Sequence, residues 1–174
     1  MRRLAAILAL GLLALACVAA GSPGAAPARA AEPVAIDTAE QWSWPVSQDV
    51  RIVAPFEAPP HRYGPGHRGV DLAADAGPIL APASGVVAFA GSVAGRPLLT
   101  IDHGDGLVTT LEPVEPLVSA GDPVARGDQV GTLATGGHTP AGAVHFGVRL
   151  HGEYINPLLL LDGVPRAVLL PCCG

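Results

Sequence analysis

The chain has 174 residues and a net charge of −5, a length that suits one domain with a short leader. Hydrophobic residues make up 49% of it but aromatic residues only 4%, so its core must be built mostly from Val, Leu, Ile and Ala. All its basic residues are Arg. The lack of Lys excludes chemistry that needs a lysine amine, and the lack of a basic cluster in the folded part argues against a nucleic-acid partner.

Arg2 and Arg3 precede an apolar stretch from Leu4 to Ala20, and a small-residue segment ends in Ala28-Arg29-Ala30-Ala31. This is the plan of a secretory signal peptide over residues 1–30, cut after Ala30. The apolar run is at the short end for a bilayer span, which needs about 20 residues, so no membrane span is expected in the mature form. Cys17 at the end of the run offers a lipoprotein signal as the alternative. Residues 31–41 read as a linker and 42–170 as the folded domain, placing the protein in the cell envelope or outside the cell. Cys172 and Cys173 are adjacent and almost terminal. With no C-x-x-C pair they do not suggest a thiolate metal site.

With 22 Gly and 18 Pro, the domain favours short strands and tight turns over helices. Strands are predicted over 50–56, 69–73, 85–90, 98–103, 107–111, 129–134 and 143–150. Turns are expected at Gly95-Arg96-Pro97 and Asp105-Gly106, and one helical turn at 156–160. Such spacing points to an all-β antiparallel sandwich or barrel-like core with few or no helices. Side chains alternate along a strand. Val144, Phe146 and Val148 therefore form a core face, while Ala143, His145 and Gly147 share the opposite one.

His67-Arg68-Gly69-Val70-Asp71 carries imidazole and carboxylate, a ligand pair suited to zinc. On a straight strand the two Cα atoms would stand about 13 Å apart, so the backbone must bend or the pair must straddle a loop-to-strand junction. Gly64, Pro65, Gly66 and Gly69 permit this and oppose a helix.

The run from His67 to Ala74 resembles the H-x-G-x-D motif of the lysostaphin/LytM-type metallopeptidases, which cleave peptide bonds in bacterial peptidoglycan. Further blocks are similar in the same order: Pro82 to Val87, Leu99 to Gly104, Val118 to Gly131, Val144 to Arg149, and Asn156-Pro157. The resemblance covers about residues 42–161. It implies the lysostaphin-type fold and one zinc ion held by His67, Asp71 and His145. Three protein ligands with an open fourth position is the arrangement of a catalytic zinc.

Two departures bear on activity. The family's first histidine of H-x-H is Ala143 here. In its T-x-Y-x-H segment the tyrosine is Leu111 and the histidine is Pro113. A positioned acid/base contributes about 10²–10⁴-fold, and each lost oxyanion donor costs about 10²–10³-fold. Activity as a metalloendopeptidase is therefore uncertain and expected to be weak or absent. Glu112 and His138 are the candidate substitutes, with Glu115 a third. On a regular strand Glu112 faces away from position 113, and a bulge at Pro113 could re-aim it. His103, beside a glycine turn, reads as structural. The expected partners are peptidoglycan and, for a non-catalytic relative, another cell-wall hydrolase. A biotin- or lipoyl-carrier reading of the repeated V-x-x-G pattern fails for want of a lysine.

Overall fold

A computed structural model describes residues 42–161 except 48, 75 and 76. The leader, the linker, Cys17, Cys172 and Cys173 lie outside them. Eleven strands run in chain order: β1 (Ile52–Ala54), β2 (Val70–Ala73), β3 (Pro78–Leu80), β4 (Gly85–Val93), β5 (Arg96–Asp102), β6 (Leu107–Glu112), β7 (Val114–Pro116), β8 (Pro123–Val124), β9 (Gln129–Leu133), β10 (Ala143–Leu150) and β11 (Glu153–Ile155). A single 3₁₀ turn, Pro157–Leu159, follows, with the Asn156 side chain accepting from the Leu158 amide at 3.1 Å. No helix among the described residues is long and apolar enough to cross a membrane.

All strand pairings are antiparallel. The large sheet has the order β1-β2-β10-β6-β5-β4-β8, with β11 paired to β10, and a small sheet has the order β3-β9-β7. This is the expected all-β antiparallel fold. Four strands escaped the sequence reading: β3, β7, β8 and β11. Three of them contain Pro and all have two or three residues, too few to display alternation. The first turn also differs from expectation. It falls at Ala94-Gly95, with φ of 51° and 77°, and Arg96 and Pro97 already belong to β5. Positive φ at both central residues is what a two-residue hairpin needs to follow the strand twist.

The core lies between the sheets and is aliphatic, as the composition requires. Val70, Leu72, Leu99, Ile101, Leu111, Val144, Phe146 and Val148 are all at 0% exposure. Among the described residues Trp42 and Phe146 are the only aromatic members. The predicted core face of β10 is therefore the observed one. Phe146 sits in register with Val70 on one side and Leu111 on the other, so its ring is locked between two neighbouring strands. Truncating a buried Phe costs about 3–5 kcal/mol. Phe146→Ala is expected to lower unfolding free energy by about that amount in urea titrations, whereas a loss under about 1 kcal/mol would mean that the ring is not held in a packed interior.

Candidate metal centre

β2, β10 and β6 are adjacent, and their register sets up the site. Asp71 on β2 pairs with His145 on β10, and His145 pairs in turn with Glu112 on β6. Residues directly opposite each other on neighbouring strands share a face. One carboxylate, one imidazole and a second carboxylate therefore stand in a row on the face away from the core. Glu112 thus needs no bulge to reach the site, which corrects the sequence expectation.

His67 arrives from the loop before β2, at the junction that the spacing to Asp71 demands. Its backbone is tied to Glu57 by a pair of hydrogen bonds at 2.9 Å. Gly69 lets this loop pass directly over β10. A Cβ there would stand 2.7 Å from the His145 ring and collide with the Phe146 carbonyl. The loop covers the site face, so His145 is only 8% exposed. The sequence had placed it on a face away from the core without foreseeing this burial.

The three side chains converge. His67 Nε2 lies 3.0 Å from Asp71 Oδ1 and 3.1 Å from His145 Nδ1, and His145 Nδ1 lies 2.8 Å from Asp71 Oδ1. His67 Nδ1 is 2.7 Å from the Pro55 carbonyl oxygen. A carbonyl only accepts, so Nδ1 donates and the neutral ring presents a lone pair at Nε2. A proton shared by His145 and Asp71 satisfies that pair alone. It leaves the His67 lone pair facing two more electron-rich atoms. A cation satisfies all three at once, and atoms at these spacings can each stand about 2 Å from one zinc ion. The residues therefore fit the metal that the donor chemistry suggests.

His138 joins the cluster from the loop between β9 and β10. One ligand atom from each of His67, Asp71, His138 and His145 falls within 4.8 Å of the others. The His138 ring packs edge-on against His145, with centroids 4.9 Å apart. Its Nδ1 lies 3.4 Å from Glu112 Oε1, and Arg96 Nη1 lies 3.3 Å from the same oxygen. His67, Arg96, Glu112, His138 and His145 line a groove of about 420 Å³ with Arg68, Leu98, Thr110 and Tyr154.

The other sequence candidates lie elsewhere. Glu115 is exposed on β7 in the small sheet, paired with Thr132, and does not reach the cluster. His103 stacks on Trp42 at 4.5 Å. Its Nδ1 donates to the Ser84 carbonyl and its Nε2 accepts from the Thr109 hydroxyl, both at 2.8 Å, which is a structural role. Pro113 and Ala143 line a separate cavity of about 440 Å³ beneath the 134–142 loop. No ionisable side chain lines that cavity.

Residues 65–157, just over half of the chain, match the sequence model of peptidase family M23. The chain belongs to this family, whose lysostaphin-type members its motifs resemble. It is 38% identical to the uncharacterized protein Rv2891 of Mycobacterium tuberculosis over 149 residues, 82% of this chain and 57% of that protein. The chain thus spans little more than half the length of this relative. It is 30% identical over 125 residues to the murein hydrolase activator NlpD of Salmonella typhimurium, covering 69% of this chain and 31% of NlpD. The solved catalytic domain of EnpA, a prophage-encoded M23 protein of Enterococcus faecalis, superposes with a TM-score of 0.55 at 28% identity, covering 64% of this chain and 91% of that one.

Burial pushes the His145 imidazole below its ordinary pKa, while the hydrogen bond and charge of Asp71 pull the other way without prevailing. The neutral ring, the form that ligates a metal, is thereby favoured. As pH falls below about 6.5, the unfolded chain takes up a proton at this position before the folded chain does. Stability is therefore lost from there down to the lowered folded value, and is full above it. In chelator-treated protein, urea unfolding between about pH 7.5 and pH 5 is expected to show a steeper loss for the wild type than for His145→Gln. Equal slopes would contradict the assignment of a neutral, buried ring.

Proposed function

We propose that this chain is an exported M23 domain of the cell envelope that holds one zinc ion through His67, Asp71 and His145 and binds peptidoglycan peptides in the adjoining groove, with little hydrolysis. A zinc ion with an open position would polarise a peptide carbonyl and lower the pKa of a bound water. The chain's own residues would orient the ion: the Pro55 carbonyl holds His67 with Nε2 turned inward, and Asp71 and His145 are fixed by strand register.

The observation that carries the low-activity part is the cavity beneath the 134–142 loop. The two positions that hold histidines in lysostaphin-type members are here Pro113 and Ala143, both of which line it. Neither can take a proton from water or deliver one to a leaving amine. Losing a positioned acid/base costs about 10²–10⁴-fold. The similarity to a protein named for activating murein hydrolases supports a role in peptidoglycan binding or in regulating a second hydrolase. A second reading, a slow endopeptidase, draws on Glu112 and His138, which line the same groove and are titratable.

Purified protein is expected to bind one zinc per chain and to lose it in His67→Ala and Asp71→Ala. Wild type should sediment with peptidoglycan sacculi and release new amino groups at least about 10²-fold more slowly than an M23 domain with both histidines. Rapid release that His67→Ala abolishes would establish the peptidase reading instead.

A further inference from the structure

We propose that His138 is a fourth protein ligand that closes the metal site, with Glu112 as the carboxylate that orients it. This rests on the zinc reading above. The three expected ligands leave the fourth position of a tetrahedral ion open. The side chain nearest to filling it is His138, whose ring packs against His145 at 4.9 Å and stands 6.4 Å from that of His67. Its ligand atom is within 4.8 Å of the other three. Ligand atoms on one tetrahedral zinc stand about 3.3 Å apart, so an approach of about 1.5 Å completes the set. The His138 side chain is 51% exposed. It sits in a loop whose Gly136, Gly137 and Gly142 have φ of 110°, 79° and 79°. A movement of that size is well within the reach of such a side chain.

Glu112 gives the ring its direction. Metal-bound histidines commonly donate their second ring N–H to a carboxylate, which fixes the tautomer and the ring plane. Glu112 is 5% exposed. Its Oε1 lies 3.4 Å from His138 Nδ1 and 3.3 Å from Arg96 Nη1. With Nδ1 turned to Glu112, Nε2 is the nitrogen left for a cation. Gly137 maintains the approach, because a Cβ there would stand 2.9 Å from Glu112 Oε1. Glu112 is in turn pinned opposite His145 by strand register, so the carboxylate that directs His138 is fixed relative to His145. A site closed in this way has no position for the water or the peptide carbonyl that hydrolysis requires. This accounts for a domain that keeps its metal ligands while Pro113 and Ala143 replace the proton-handling histidines.

The test uses the full chain, stripped of metal, then titrated with zinc against a chromophoric chelator and, separately, loaded with cobalt(II). His138→Ala is expected to weaken zinc binding at least tenfold, and Glu112→Gln by about 10–100-fold. His138→Ala should not move the melting temperature of the metal-free protein. The visible spectrum of the cobalt-loaded wild type should be unchanged by azide, whereas that of His138→Ala should shift as azide enters the vacated position. Zinc affinity within twofold of wild type in His138→Ala, together with an azide-responsive wild type, would overturn the closed site while leaving the three-ligand reading intact. Failure of the wild type to bind zinc more tightly than His67→Ala would overturn both.

Discussion

Strand register across β2, β10 and β6 is the constraint on which the site depends. Asp71, His145 and Glu112 occupy one row of the large sheet. A slip of one residue would turn every one of these side chains to the other face. Such a slip is resisted by the same strands' core face, where Leu72, Val144, Phe146, Val70 and Leu111 are fully buried. The packing that stabilises the fold therefore also aims the polar row. The geometry of the centre does not rest on loops alone.

Two loops complete what the sheet begins. The segment before β2 brings His67 over His145, with Gly69 as the point of closest passage. The segment between β9 and β10 brings His138 edge-on against the same ring. Between them they convert an outward strand face into a buried one. The result sets the buried Asp71 and His145 beside the partly exposed His67 and the exposed His138 ring, next to a groove of about 420 Å³. Membership of the M23 family and a His/Asp cluster able to hold a metal ion meet here with a cavity beside Pro113 and Ala143 that no ionisable side chain lines.

Much of this was legible in the sequence. The glycine-flanked spacing singled out His67 and Asp71, alternation in β10 set His145 on the face away from the core, and the resemblance to lysostaphin-type peptidases joined the three that the fold brings together. The aliphatic composition anticipated the core, and most of the longer strands lie where alternation and turn residues put them. The unforeseen parts have a common cause. Alternation along one strand says which residues share a face, but not which residue of the next strand stands opposite. Glu112 was therefore judged against its neighbour Pro113 rather than against His145. Burial of His145 depends on loops that carry no periodic signal. Short proline-containing strands such as β7 and β8 have too few residues to show a pattern, and the hairpin at Ala94-Gly95 uses a positive φ at an alanine that nothing in the sequence announces.

The central claim is that His67, Asp71 and His145 hold one ion. Diffraction from crystals of the zinc-loaded protein, with data collected on both sides of the zinc absorption edge, tests it most directly. The expected result is a single anomalous peak about 2.0–2.2 Å from His67 Nε2, Asp71 Oδ1 and His145 Nδ1. A peak bound elsewhere, or none at this position in fully loaded crystals, would contradict it.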